Sequence, residues 1–473
     1  MVAAARQRWG VAGLVFASGL CALIYQVAWL RELRLVFGAS TPASAAVLAV
    51  FMGGLGVGGL LLGRRAERSA QPLAFFGRLE IVAGLGAGLS PWTIAAARAV
   101  YLALGGSASL GLVGGTVVRL LLTALVLGVP MVAMGGTLPA VARAAMGSGD
   151  PARRSLGWLY GCNTLGAVAG AGLTTFVMLE HLGQRKSLWV AALLDVLVGM
   201  VALSLARRGV GAAGEALAEG GEETSETPAA RAAAAPLALV LVAAGLVGFA
   251  FFLMELVWYR VLAPLLGGTT YTFGLILLLA LLGIGGGGLL YGAVARRRPP
   301  SLGAFASTCA LEALLLVVPL ALSFRLAVLA SALRTLGAFG FGGMVAGWLV
   351  VGGIVVVPPS LVAGYQFPLL VALLGTGRRE VAVQTGLVAA SNTAGAIAGS
   401  LAGGFGLLPL LGAPGAWRAT TLLLAGLALA AVLAWRRGEP GGRPLLQPLV
   451  ALAAAALCLA PGPSALWRFG EIG

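Results

Sequence analysis

Trp29 and Arg31 recur as Trp258 and Arg260, so position 29 maps onto position 258, a displacement of 229 residues. The same displacement carries Gly38 to Gly267, Thr41 to Thr270, Gly63 to Gly292 and Pro130 to Pro359. It continues from Gly135 to Gly364, Pro139 to Pro368, Asn163 to Asn392, Gly170 to Gly399 and Gly183 to Gly412. One register held over such a length is an internal duplication. The chain must build one unit twice and pack the two copies together.

Hydropathy says what the unit is. The chain is 59% hydrophobic and 10% charged, with mean hydropathy +0.99. Soluble domains carry about 25% charge. Apolar runs of about 20 residues, the length a helix needs to cross hydrocarbon, recur from end to end. They predict six spans in the first half, at 11–30, 44–63, 73–97, 111–134, 156–178 and 188–206. The second half gives 237–258, 271–294, 303–323, 344–362, 382–405 and 416–435. A further run at 445–460, flanked by Pro448, Pro461 and Pro463, either crosses as a thirteenth span or lies in the interface. Residues 1–206 are thus a first six-helix repeat and 237–436 a second. Residues 207–236, rich in Gly, Ala, Glu and Thr, cannot bury apolar surface and read as a flexible cytoplasmic linker. Residues 437–473 form a C-terminal apolar segment and tail.

Arginine placement gives the orientation. Alternate loops hold Arg6/Arg8, Arg64/Arg65/Arg68, Arg143/Arg153/Arg154, Arg207/Arg208, Arg296/Arg297/Arg298, Arg378/Arg379 and Arg436/Arg437/Arg443. The opposite loops are poorer. By the positive-inside rule the N-terminus and linker are cytoplasmic. The N-terminal apolar run lacks a small-residue cleavage site and reads as a retained anchor helix. Six spans per half is even, so both halves enter the membrane from the same side. The expected fold is an all-α polytopic membrane protein of two six-helix repeats in parallel orientation, the arrangement of major facilitator transporters.

The net charge of +15 could suggest nucleic acid, but the basic residues sit between apolar runs, so lipid is the expected partner. Cys21, Cys162, Cys309 and Cys458 are far apart and His181 is the sole histidine, which argues against a metal site or a His-based triad. The run Gly283–Gly288 imitates a nucleotide loop, yet lies inside a span with no preceding strand, and no cofactor is expected. Glycines one turn apart, such as Gly54/Gly58 and Gly283/Gly287, read as close helix packing. Gly63-Arg64-Arg65-Ala66-Glu67-Arg68 has the Gly-x-x-x-acid-Arg order that opens the loop motif of major facilitator proteins, without its remainder.

Two features point to a transport pathway. Pro130 to Pro139 and Pro358 to Pro368 form matched proline-glycine interruptions of the fourth and tenth spans, and broken helices are a pointer to transporter sites. Second, ionisable groups inside spans are costly and face a cavity or a partner. The candidates for a substrate or proton pathway are Glu80, Glu255, Glu312 and Asp195. Joining them are Gln26, the repeat mate of Glu255, the pair Asn163 and Asn392, and Gln366 in the tenth span. Glu80 could instead pair with Arg78. Trp29 and Trp258, ending the first span of each half beside arginine, read as headgroup anchors.

Several segments together resemble a known family. They are Ser18-Gly19 through Ile24-Tyr25-Gln26-Val27-Ala28-Trp29-Leu30-Arg31, Phe51-Met52-Gly53-Gly54-Leu55-Gly56-Val57-Gly58, Met134-Gly135-Gly136-Thr137-Leu138-Pro139 and Asn163-Thr164-Leu165-Gly166-Ala167. The chain is similar to the membrane part of the fused major facilitator/spermidine synthase family of bacteria. That resemblance implies a bacterial inner-membrane location and an aminopropyltransferase domain in many members. The Gly-Gly-Gly-Asp-Gly turn of such a synthase is absent from this chain, so no catalytic residue carries over. The tail Leu466-Trp467-Arg468-Phe469-Gly470-Glu471 resembles the junction at which a synthase begins, as in either a fragment or a stand-alone member. Two functions are expected. One is a transporter whose carboxylates face a central cavity for a small solute, a polyamine being the cationic candidate. The other is a non-transporting membrane anchor or accessory module for an aminopropyltransferase domain or subunit.

Overall fold

The computed structural model describes residues 2–37, 41–146, 150, 152–210, 235–268, 270–376, 378–438 and 446–462. Most of the expected linker (211–234) and the tail junction (466–471) lie outside the described residues. The first half comprises α1 (Val2–Phe37), α2 (Thr41–Glu67), α3 (Pro72–Ala103), α4 (Gly106–Gly135), α5 (Thr137–Ala145), α6 (Arg154–Leu173), α7 (Leu179–His181) and α8 (Gly183–Arg207). The second comprises α9 (Leu237–Leu262), α10 (Thr270–Val294), α11 (Leu302–Ala321), α12 (Ser323–Leu333), α13 (Phe341–Leu373), α14 (Val381–Ala402) and α15 (Leu408–Gly438), followed by α16 (Leu446–Leu457). No strand occurs among the described residues. Each expected span is occupied by a helix.

The duplication is visible in the backbone itself. Gly111 inside α4 and Gly340 before α13 are repeat mates with φ of +67° and +83°. Gly183 and Gly412, at the turns into α8 and within α15, have φ of +70° and +68°. A side chain would strain all four positions, which is why glycine is kept in both copies. The helix also widens to a π turn at Thr174–Met178 and again at Gly403–Leu407, the same place in each copy.

Lipid offers little hydrophobic gain for helix association, so packing depends on close backbone approach. Gly166 and Gly170 of α6 lie against the carbonyls of Phe16 and Leu20 in α1. Their mates Gly395 and Gly399 of α14 lie against Gly245 and Phe249 in α9. Gly135 meets Leu55, and Gly364 meets Ile284, in the same fashion. Inside the halves α2 packs on α4, α3 on α8 and α1 on α6, and α10 on α13, α11 on α15 and α9 on α14 repeat that set. The halves join along α2 with α14 and α6 with α10. Gly59 of α2 meets Gly386 of α14, and the mates of those residues, Gly288 and Gly157, meet between α10 and α6. The two copies are therefore related by an axis along the helices, with their arginine-rich ends on one face.

Two expectations need correction. Trp29 and Trp258 are not headgroup anchors, since each is 1% exposed and forms part of its half's core. Trp29 stacks on Tyr25 and donates to Ser90 Oγ at 2.8 Å, while Trp258 meets Phe251 edge-on. The proline segments are not unwound. α13 runs through Pro358, Pro359 and Pro368 without a break, and the chain leaves α4 at Gly136 still in right-handed conformation. Close packing accommodates these prolines: Gly86 of α3 leaves room for the Pro130 ring, and Gly287 lies against Leu361. The run at 445–460, expected either to cross or to lie in the interface, holds α16, 12 residues long and packed against α11 and α15. Gln447 donates to Ser307 at one end, and Ala460 accepts from Arg418 at the other.

Candidate functional site

Helices that are apolar all round leave their few polar side chains to be sorted by packing. Gln26 of α1 lines a recess with Trp29, Leu30, Phe51 of α2 and Met131 of α4. Its mate Glu255 occupies the equivalent place on α9, which touches α10 and α13 as α1 touches α2 and α4. Both are largely buried, and Glu255 has no hydrogen-bond partner among the described residues. Asn163 and Asn392 bind helices together instead. Asn163 Nδ2 donates to Val15 O at 3.2 Å and Asn392 Nδ2 to Ala244 O at 3.1 Å, the same bond in each copy.

The other candidates are walled in. Glu80 is 1% and Asp195 2% exposed, inside the first half. Glu80 accepts from Ser18 Oγ at 2.8 Å, and Asp195 accepts from Tyr25 Oη at 3.3 Å. Glu80 does not pair with Arg78, which is exposed. In the second half Glu312 accepts from Gln366 Nε2 at 2.8 Å, and Gln366 is fully buried. The expectation that Glu80, Asp195 and Glu312 face an open cavity is therefore corrected. They lie on α3, α8 and α11, outside the α2–α14 and α6–α10 seams, and burial obliges them to take partners from their own half. Ser18 and Tyr25 were singled out in the sequence only for the family resemblance and not as pathway candidates, their repeat mates, Val247 and Met254, being apolar.

A second polar constellation joins the halves on the arginine-rich face. Arg153 is fully buried. It donates Nη1 to Val371 O at 2.8 Å and Nη2 to Arg379 O at 3.0 Å. Arg154 Nε donates to Gly292 O at 3.1 Å, and Tyr291 Oη donates to Ala152 O at 2.6 Å. In the other direction, Glu67 Oε2 accepts from Ala382 N at 2.9 Å, and Glu67 Oε1 pairs with Arg143 Nε at 3.4 Å. Arg378 Nε donates to Arg143 O at 3.3 Å. The chemistry is complementary to the helix dipoles. Guanidinium groups meet the carboxyl-terminal turns of α13 and α10, and a carboxylate meets the amino-terminal turn of α14. α6 and α14 both begin after a non-glycine residue with positive φ, Arg153 at +50° and Glu380 at +52°. Glu67 belongs to the loop motif recognised in sequence, whereas nothing in sequence distinguished Arg153 from other loop arginines.

The rest of the inventory is inert. No group of His, Cys, Asp and Glu among the described residues is arranged to hold a metal ion. The four cysteines are unpaired, and exposed His181 contacts its own helix at Val177 O.

No family model matches the chain, and no curated protein sequence matches it significantly. Among solved structures it is similar to the major facilitator superfamily proton:xylose symporter XylE bound to 6-bromo-6-deoxy-D-glucose. The match has 12% identity and TM-score 0.54, covering 92% of this chain and 96% of that one. It is also similar to the human organic anion transporter MFSD10 (TETRAN), with 16% identity and TM-score 0.47 over 90% of this chain and 99% of that one. The first likeness establishes the fold: a polytopic helical membrane protein of major facilitator type.

Proposed function

We propose that this protein is a secondary transporter of a small cationic solute, working by alternating access between its two halves. The observation that carries the reading is the latch on the arginine-rich face, where each half's charged side chains cap helix ends of the other. Bonds of this kind can be broken and remade as rigid halves rock against each other. Glu255 supplies the second support. It is a largely buried carboxylate within a span with no hydrogen-bond partner among the described residues, the kind of group that marks a solute or ion path. An aliphatic polyamine suits it, and the resemblance of the chain to the membrane part of fused spermidine synthases favours the same solute. On this reading the arginine-rich face is cytoplasmic and the protein resides in a bacterial cell membrane.

The test is uptake of labelled putrescine and spermidine into proteoliposomes, with and without an imposed proton gradient. Glu255→Gln is expected to abolish uptake while leaving the melting temperature unchanged, because Glu255 holds no structural bond. Full uptake by the variant would remove Glu255 from the pathway. Absence of any polyamine uptake or binding by the wild type would remove the substrate class.

A further inference from the structure

Each half sets one polar residue at the same point of its first helix, and the two residues differ in charge. Gln26 of α1 and Glu255 of α9 are repeat mates. Gln26 shares a helix face with Leu23 and Leu30, and Glu255 shares the mated face with Phe252 and Tyr259, all six short of full burial. α1 packs on both α2 and α6, and α9 packs on both α10 and α14. Those four helices form the α2–α14 and α6–α10 seams, so α1 and α9 each lie between the two seams, on opposite sides of the axis that relates the halves.

The surroundings of Gln26 are apolar. Trp29, Leu30 and Leu33 of α1, Phe51 of α2, and Leu127 and Met131 of α4 line the recess beside it. Trp29 stacks on Tyr25 and donates its indole N–H to Ser90 Oγ, so that group is already engaged. Gln26 itself has no hydrogen-bond partner among the described residues. The mates of Leu30, Phe51 and Met131 are Tyr259, Ala280 and Ser360. One copy therefore sets an amide among bulky hydrocarbon, and the other has a carboxylate where the mated positions are smaller or hydroxylated.

The geometry points to Gln26 as the residue that selects an uncharged end of the solute, which makes the substrate class a monoacylated diamine. Its ammonium meets Glu255, its amide meets Gln26, and its acyl methyl lies against Phe51 and Met131. The inference rests on the reading that Glu255 meets the solute's ammonium. A second ammonium at Gln26 would lose its hydration among these apolar walls without a counter-charge. A secondary amide carries one donor and one acceptor, which match the carbonyl and amino groups of the Gln26 side chain. A site built around such bonds discriminates against a solute that cannot complete them.

The experiment measures uptake of labelled N-acetylputrescine and labelled putrescine into proteoliposomes of the full chain. N-acetylputrescine is expected to show a several-fold lower KM than putrescine. Gln26→Glu, which gives both halves a carboxylate, should reverse that preference. Gln26→Leu should weaken N-acetylputrescine uptake several-fold without improving that of putrescine. Glu255→Gln is expected to abolish uptake of both solutes. Wild-type rates in Glu255→Gln, or no uptake of either solute by the wild type, would overturn the transport reading and this inference together. Loss of uptake in Glu255→Gln combined with a wild-type preference for putrescine, or with a preference unchanged in Gln26→Glu, would overturn the role of Gln26 alone. Should Gln26→Glu not fold, the wild-type preference and Gln26→Leu decide the matter.

Discussion

Arg153→Met tests whether the contacts on the arginine-rich face hold the halves together. Methionine keeps the unbranched stem but removes the two bonds from Nη1 and Nη2 to Val371 O and Arg379 O. A hydrogen bond from a charged donor contributes roughly 1.5 kcal/mol or more, so the pair contributes about 3 kcal/mol. The favourable charge at the carboxyl-terminal turn of α13 goes with it. At 1.4 kcal/mol per tenfold, closure of this face weakens about 100-fold. The assay is a distance measurement between spin labels at Arg68→Cys and Glu380→Cys, two exposed positions across the seam, with the native cysteines replaced. The parent should give one short, narrow distribution. Arg153→Met should add a longer-distance population. Arg154→Gln, which loses the single bond to Gly292 O, should produce a smaller change in the same direction. Identical distributions in parent and both variants would refute the latch, because the halves would then be held by the α2–α14 and α6–α10 seams alone.

Gln366→Leu leaves the Glu312 carboxyl buried without its donor and should lower stability by about 3 kcal/mol, while Glu312→Leu/Gln366→Leu should recover most of that loss, as read by thermal midpoints. Asn163→Ala and Asn392→Ala each remove the same inter-helix bond from one copy, so each should cost about 0.6–1.7 kcal/mol and the two should add, as read by unfolding of the double variant. Trp29→Phe should destabilise by about 1–2 kcal/mol because Ser90 loses its indole donor. Trp258→Phe should cost less in that comparison, since the buried Trp258 Nε1 already lacks a partner.

Much of the fold was legible in the sequence, and the reason is one-dimensional. Span length is fixed by hydrocarbon thickness, which a run of residues either meets or does not. The 229-residue register survives because both copies must solve the same packing problem. Gly166 and Gly395 had to remain glycine against the carbonyls of Phe16 and Gly245. The even number of spans per half then fixed parallel orientation. Prolines misled because their effect depends on the neighbours. Pro130 and Pro359 read as breaks in isolation, yet both sit inside helices, and Gly86 of the neighbouring helix leaves room for the Pro130 ring.

The site divides along the same line. Composition placed Glu80, Asp195, Glu255 and Glu312 within spans, and that alone marked them as groups needing a partner or a solute. Only tertiary packing decided which need each one meets. Glu80 is held by Ser18 and Asp195 by Tyr25, Glu312 is sealed by Gln366, and Glu255 alone of the four has no hydrogen-bond partner among the described residues. A helix apolar on every side carries no internal direction, so its sequence cannot say which face turns inward. That choice belongs to the contacts of neighbouring helices, and with it goes the latch around Arg153.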